Sequence, residues 1–247
     1  MKILTALLLC GIASSSWGAD AISPDRPDFT NGPDIVAPGR FQLETSCAWE
    51  RQDGRHLRAT PTLLRLGVTQ DLELRLETDG WLRQREPQAR GRGDLSLGVK
   101  WRQREGGIGA PALGWLLQVD TPSGSGDFKG RGLRPALSLL AQWSLPADWS
   151  LGSMVGVAVD RDDEDRRFTA GVLSASLGVP LGERLAGFVE LAGQRLASAR
   201  HGGRVVTLGS GLAWPLSDDA QLDAAVFRGL NRNTPDWAWT LGLSLRF

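Results

Sequence analysis

The sequence predicts an all-β protein: an antiparallel transmembrane β-barrel of about twelve strands, preceded by a signal peptide and an extended N-terminal segment. Three observations predict it. From Phe41 onward, apolar and polar residues alternate with period two, the mark of strands with two unlike faces. The alternating segments are roughly 10 residues long, which is what a tilted strand needs to cross a bilayer. Short turns and polar loops alternate between them, and tryptophans gather near segment ends, as aromatic girdles do at two membrane interfaces.

Composition agrees. After the signal no uninterrupted apolar run reaches the ~18 residues of a membrane helix, and 23% of residues are charged. The 31 glycines and 10 tryptophans, without long helical periods, favour β architecture. Lys+Arg and Asp+Glu are each 28, and losing Lys2 with the signal leaves a net charge near −1. Nothing there offers a footprint for nucleic acid.

Residues 1–18 read as a signal peptide: Lys2, an apolar run from Ile3 to Ala13, then the small, polar Ser14–Gly18. Cleavage after Gly18 puts Ser16 and Gly18 at the small-residue positions, whereas cleavage after Ala19 would put Trp17 at one of them. Cys10 follows Leu7-Leu8-Leu9 rather than a small residue, which argues against a lipid anchor. Cys47 then stands alone on an apolar strand face, where it is expected to be buried rather than reactive.

Residues 19–39 carry Pro24, Pro27, Pro33 and Pro38, which forbid a regular helix or central strand. An extended lead-in is expected, packed under the barrel mouth or lying in the lumen. Residues 40–247 form the barrel. Phe41, Leu43, Thr45, Cys47 and Trp49 oppose Gln42, Glu44, Ser46 and Glu50. Leu64 and Leu66 oppose Arg65. Leu72, Leu74, Leu76, Thr78 and Leu82 oppose Glu73, Arg75, Glu77, Asp79 and Trp81. A helix would scatter those charges, whereas a strand lines them up. Further segments run through Leu95–Arg102, Leu113–Asp120, Ala136–Ser144, 149–159, 168–179, 185–196, 204–214, 221–229 and Trp237–Phe247. The two faces of 168–179 are hard to tell apart.

Short turns fall at Thr69–Asp71, Pro146–Asp148, Pro180–Arg184 and Pro215–Ala220. Polar loops are expected at Arg51–Arg58, Gln84–Arg92, Thr121–Arg131, Asp160–Arg166, Ser198–Gly203 and Gly229–Pro235. An even strand count places both termini with the short turns, on the periplasmic side. Trp101, Trp143, Trp149 and Trp214 fall near turn ends, and Trp49, Trp237 and Trp239 near loop ends.

Several motifs resemble a known family. The final strand, Trp237–Phe247, alternates strictly and stops on an apolar-face aromatic. It is similar to the closing strand of bacterial outer-membrane barrels, whose terminal Phe, here Phe247, is read by the barrel-assembly machinery. Arg26-Pro27-Asp28-Phe29-Thr30, Pro38-Gly39 and Gln42-Leu43-Glu44 resemble the start of the outer-membrane transporter family named for the MetA pathway of phenol degradation. Leu63–Gly67 with Leu72–Arg75 looks like its first periplasmic hairpin. Gly229–Asn231, Thr234–Trp237 and Gly242–Phe247 look like its last loop and strand. The resemblance implies an outer-membrane localisation and a transport role, with the substrate open.

The inward polar set Arg65, Glu73, Arg75, Glu77, Asp79, Asp94, Lys100, Gln118 and Glu190 is the one chemical constellation. It reads either as a salt-bridge network filling the lumen or as the lining of a conduit or ligand site. Arg26 and Asp28 are candidates to dock the lead-in onto it. Arg83, Arg85, Arg90 and Arg92 form a basic cluster suited to lipopolysaccharide phosphates, or simply a solvated loop. The acidic run Asp160–Asp165 lacks the Gly and later Glu of a calcium loop. No catalytic residue, metal or cofactor is expected: only His56 and His201 occur, and G-x-S-x-G is absent. The expected partners are outer-membrane lipid and a small molecule, with hydrophobic or aromatic solutes among the candidates. A closed structural barrel or surface-binding barrel and a lipid-modifying enzyme are the rival readings.

Overall fold

The computed structural model describes residues 21–162 and 164–247, so the signal expected at 1–18 lies outside it. Among the described residues fifteen strands form one antiparallel sheet. They are β1 Phe41–Gln52, β2 Arg55–Ala59, β3 Thr62–Gly67, β4 Leu72–Thr78, β5 Trp81–Gln84, β6 Ala89–Arg92, β7 Leu95–Arg104 and β8 Ala112–Asp120. Then follow β9 Arg134–Ser144, β10 Ser150–Arg161, β11 Arg167–Pro180, β12 Ala186–Leu196, β13 Arg204–Ser217, β14 Ala220–Gly229 and β15 Trp237–Arg246. β15 pairs back onto β1 from Gln42↔Arg246 to Arg51↔Trp237, which closes the sheet and removes its edges. The pairs β2/β3, β4/β5 and β6/β7 are each two pieces of one wall strand, so the barrel has twelve walls.

The usual burial rule is inverted. Leu97 is 56% exposed and Leu241 60%, whereas Arg65 is 1% exposed and Lys100 and Glu73 0%. Water could not stabilise that arrangement, but a hydrocarbon surround can. The outward belt is bounded by Trp101, Trp115, Trp143, Trp149 and Trp214 toward the turn end. Trp49, Trp237 and Trp239 bound it toward the loop end. Trp239 and Phe247, the residue after β15, are eight residue steps apart; at about 3.3 Å per step and a tilt of about 40°, they give a belt of about 20 Å. Cys47 sits on this outward face and is exposed on the chain. The burial expected for it is therefore not found, because the apolar face of β1 points out of the barrel.

Two expectations change near the loop end. The loops expected at Arg51–Arg58 and Gln84–Arg92 are hairpins: β1 turns into β2 through Asp53-Gly54, and β5 pairs with β6. Positive φ at both Asp53 (48°) and Gly54 (80°) gives the tight turn that matches strand twist. The faces of Trp81 and Leu82 are also reversed. Trp81 points outward, 68% exposed, and Leu82 is buried. Gly80, at φ +65°, breaks β4 from β5 opposite Gly93, whose N–H donates to the Gly80 carbonyl over 2.9 Å. A Cβ at Gly80 would lie 2.2 Å from the Thr60 carbonyl oxygen, so only glycine fits there. Past this break the alternation restarts in the opposite phase.

The lead-in lies in the lumen. It starts at the turn end, where Ile22 N–H donates to the Asp218 carbonyl, rises to Asp28–Thr30 and returns to the turn end at Gly39, bonded to Gly67. Glycine makes room where it presses on the wall: a Cβ at Gly67 would lie 2.1 Å from the Val36 carbonyl oxygen.

Candidate functional site

One arc of the lumen, β1–β3–β4–β7, is charged. Period-two alternation aims Glu44, Arg65, Glu73, Arg75 and Lys100 inward, and the register sets Arg65 opposite Arg75 and Glu73 opposite Lys100. Like-charged Arg65 and Arg75 are tolerated because carboxylates lie between them. Glu73 accepts two bonds from Arg65, Nε and Nη2 each at 2.9 Å, and one from Arg75 Nη1 at 3.1 Å. Glu44 accepts from Arg65 Nη1 at 3.0 Å and from Gln42 Nε2 at 2.8 Å.

The third carboxylate comes from the lead-in. Asp25 pairs with Arg75, and Lys100 Nζ donates to both its oxygens at 2.7 and 2.9 Å. Burial alone would raise the Asp25 pKa, but Arg65, Lys100 and Arg75 together hold it well below the ordinary carboxylate range. Backbone groups of the lead-in complete the cluster: the Ser23 and Asp34 carbonyls accept from Arg65 at 2.9 Å each, and Val36 N–H donates to Glu73 at 3.0 Å. Three cations face three carboxylates, so the cluster is neutral and its polar groups are widely bonded. That is the condition under which buried charge is tolerable.

The opposite walls grip the lead-in apex. Glu190 of β12 accepts from Phe29 N–H (3.1 Å), Thr30 N–H (2.7 Å) and Thr30 Oγ1 (2.6 Å). Arg26 Nη2 donates to Asp223 of β14 at 3.1 Å, and Gly242 leaves the space for that pair. Asp28 lies beside Glu190 and Ser176; burial first, then the Glu190 charge, pushes it up to about 7.

A second arc, β8–β11, carries an apolar patch on its inner face as well as an apolar outer face. Leu116, Leu140, Met154 and Val172 are buried there and pack against Phe29 of the lead-in. Inward-facing Phe168 and Ala170 extend it along β11. This is why the faces of 168–179 look alike in the sequence. The arc went unread because alternation signals a lumen only when the inner face is polar.

Two cavities flank the lead-in. The one toward the loop end, about 670 Å³, has Glu77, Asp79, Asp94, Asp120 and Asp127 on one side and Phe29, Met154, Ala158 and Val172 on the other. The second, about 310 Å³, lies toward the turn end. Asp25, Arg26, Asp28 and Asn31 line both.

The residues singled out in the sequence thus fall into separate places. Arg65, Glu73, Arg75 and Lys100 meet in the ionic cluster, and Glu190 grips the lead-in across the lumen. Glu77 is bonded by Gln118 Nε2 at 2.9 Å, and with Asp79 it faces the larger cavity. Asp94 pins the 121–133 loop, accepting from Gly124 N–H, Gly130 N–H and Arg134 at 2.7–2.9 Å. Asp25, Asn31 and Asp223 join the site only through the fold, as does Glu44, which the sequence places on the inner face without marking it as a site residue. The inward parity of Glu44 and Asp223 was the available signal; nothing local marked Asp25. Arg83, Arg85, Arg90 and Arg92 are exposed near the loop end, three of them on strands rather than in a loop. Phe247 exchanges two backbone bonds with Phe41, and their rings lie 6.3 Å apart. In the acidic loop, Asp162 and Glu164 are paired with Arg166 and Asp165 with Arg161.

Comparison with known proteins agrees with this architecture. A COG4313 outer membrane channel from Pseudomonas putida F1 superposes with a TM-score of 0.65 at 14% identity, over 90% of this chain and 99% of that one. The NanC porin gives 0.60 at 10% identity, over 82% and 98%. The KdgM porin in complex with disordered oligogalacturonate gives 0.58 at 11%, over 83% and 99%. At these identities the likeness establishes the fold. No protein of curated function matches the sequence. The family model "Putative MetA-pathway of phenol degradation" matches residues 24–247, and the chain, a closed outer-membrane-type β-barrel, belongs to that family.

Proposed function

We propose that this protein is a channel of the outer membrane, passing small amphipathic molecules, aromatic ones among them, through its lumen. One observation carries the reading: the larger cavity sets carboxylates opposite an apolar surface. An aromatic solute with a polar or cationic group would find a partner on each side. Eight carboxylate residues and four basic ones line that cavity, which favours cations. The channel fold of similar structures supports the same reading. A catalytic role has less support: neither histidine has a Ser or Cys side chain as hydrogen-bond partner among the described residues, and the His201 ring stacks on Phe168 at 4.5 Å.

The test is single-channel recording of the refolded mature protein in a planar bilayer. Discrete steps, a reversal potential on the cation side in a salt gradient, and stronger block by benzylammonium than by an aliphatic ammonium of equal charge are expected. A folded barrel that gives no steps, or anion-selective ones, would overturn the proposal. A closed barrel is the second reading, favoured by the lead-in lying between the two cavities; it predicts silence in the same recording.

A further inference from the structure

Near the loop end the outward face changes character. Cross-strand register places Trp239, Trp49, Arg58, Arg83 and Arg90 in one row around five adjacent walls. A second row, one step further from the apolar belt, runs Arg228, Trp237, Arg51 and His56, with Arg85 bonded to the His56 carbonyl. On the belt side Trp81 pairs with Arg92. Neighbouring strands are about 4.8 Å apart, so the guanidiniums of Arg58, Arg83 and Arg90 span about 10 Å.

Arg51, Arg58, Arg83, Arg85, Arg90 and Arg92 are all exposed. Among the described residues none of them has an ion-pair partner, although arginines at both barrel ends and in the lumen do, for example Arg102 at the turn end, Arg134 at the loop end and Arg65 inside. The nearby Glu50 belongs to the inward-facing set, alternating with Trp49 and Arg51. Trp49, Trp239, Arg51, Arg58, Arg83 and Arg85 border a cleft of about 250 Å³. The surface thus combines uncompensated planar cations with indole rings, at the height where hydrocarbon gives way to headgroups. Guanidinium forks match phosphate oxygens bidentately, and the rings rest on sugar and acyl carbon.

We infer that this face is a binding site for the phosphorylated sugar headgroup of lipopolysaccharide in the surrounding leaflet. Its charge supports this, because six outward cations left unpaired beside a hydrocarbon belt are complementary to a phosphate-rich lipid surface. The site is separate from the lumen and does not depend on whether the lumen conducts.

The experiment measures binding of diphosphoryl lipid A to the refolded mature protein in neutral detergent micelles, folding being checked by heat-modified gel mobility. The variant Arg58→Gln, Arg83→Gln, Arg90→Gln is compared with a control, Arg184→Gln, Arg200→Gln, Arg232→Gln, that removes three exposed charges elsewhere. The site variant is expected to bind about tenfold more weakly and the control to stay within about twofold of the parent. Should the triple variant not fold, Arg83→Gln alone gives the same comparison with a loss of about threefold. Unchanged binding by the site variant, or an equal loss in the control, overturns the proposal. Competition by inorganic phosphate at concentrations comparable to the lipid also overturns it, since the site would then serve a free anion.

Discussion

The two arcs of the luminal wall hold the same lead-in by different physics. The β1–β3–β4–β7 arc uses three cations and three carboxylates, closed by Asp25 from the lead-in. The β8–β11 arc uses Leu116, Leu140, Met154 and Val172 against Phe29. Ionic contact fixes position, because each guanidinium accepts few geometries, and it is intolerant of losing one partner. Apolar contact is non-directional and degrades gradually.

The largest effect should come from opening the ionic side. Glu73→Gln leaves Arg65, Arg75 and Lys100 short of a buried partner, and about 3–5 kcal/mol of stability should be lost. Urea titration followed by gel mobility of the folded band measures it. A loss under about 1 kcal/mol would mean that water already hydrates the cluster.

Leu140→Ala sharpens the other side. Its side chain is fully buried, and a loss of about 2–3 kcal/mol is expected, near the lower end for such truncations because the neighbouring, flexible Met154 can fill part of the space left. The lead-in should also loosen, which limited proteolysis at residues 21–39 would report. Protection unchanged from the parent would show that the ionic arc holds the segment alone.

The smallest effect is a pH dependence between the arcs. Asp28 has its pKa raised from 3.8 to about 7, so the docked lead-in binds a proton there that the free segment releases. This contribution is fully present below about pH 4 and is lost as pH rises toward 7. Asp25 is shifted the other way, and its contribution is lost only in acid below the ordinary carboxylate range. Protection of the lead-in should therefore weaken as pH rises from about 4 to about 7, the free and docked values of Asp28, and Asp28→Asn should flatten that trend. A trend that persists in Asp28→Asn would place the proton elsewhere, on Glu190 first.

The sequence by itself determined the wall. Strand periodicity is local, so Glu73, Arg75 and Lys100 could be assigned to the inner face and Leu74 and Trp101 to the outer one from spacing alone. It also marked the lead-in, because prolines 24, 27, 33 and 38 exclude regular structure there. Only the tertiary structure decided which charges meet. Asp25 reaches Arg75 and Lys100 across 50 and 75 residues of chain, and Thr30 reaches Glu190 across 160. Such pairings depend on how the sheet closes and on the path of a segment without a repeat, and neither leaves a local pattern. The same holds for the phase reversal at Gly80, where one backbone conformation turned Trp81 outward and Leu82 in. The apolar inner arc was hidden for a related reason. Alternation reveals a face only by contrast, and where lumen and lipid both meet apolar side chains there is no contrast to read.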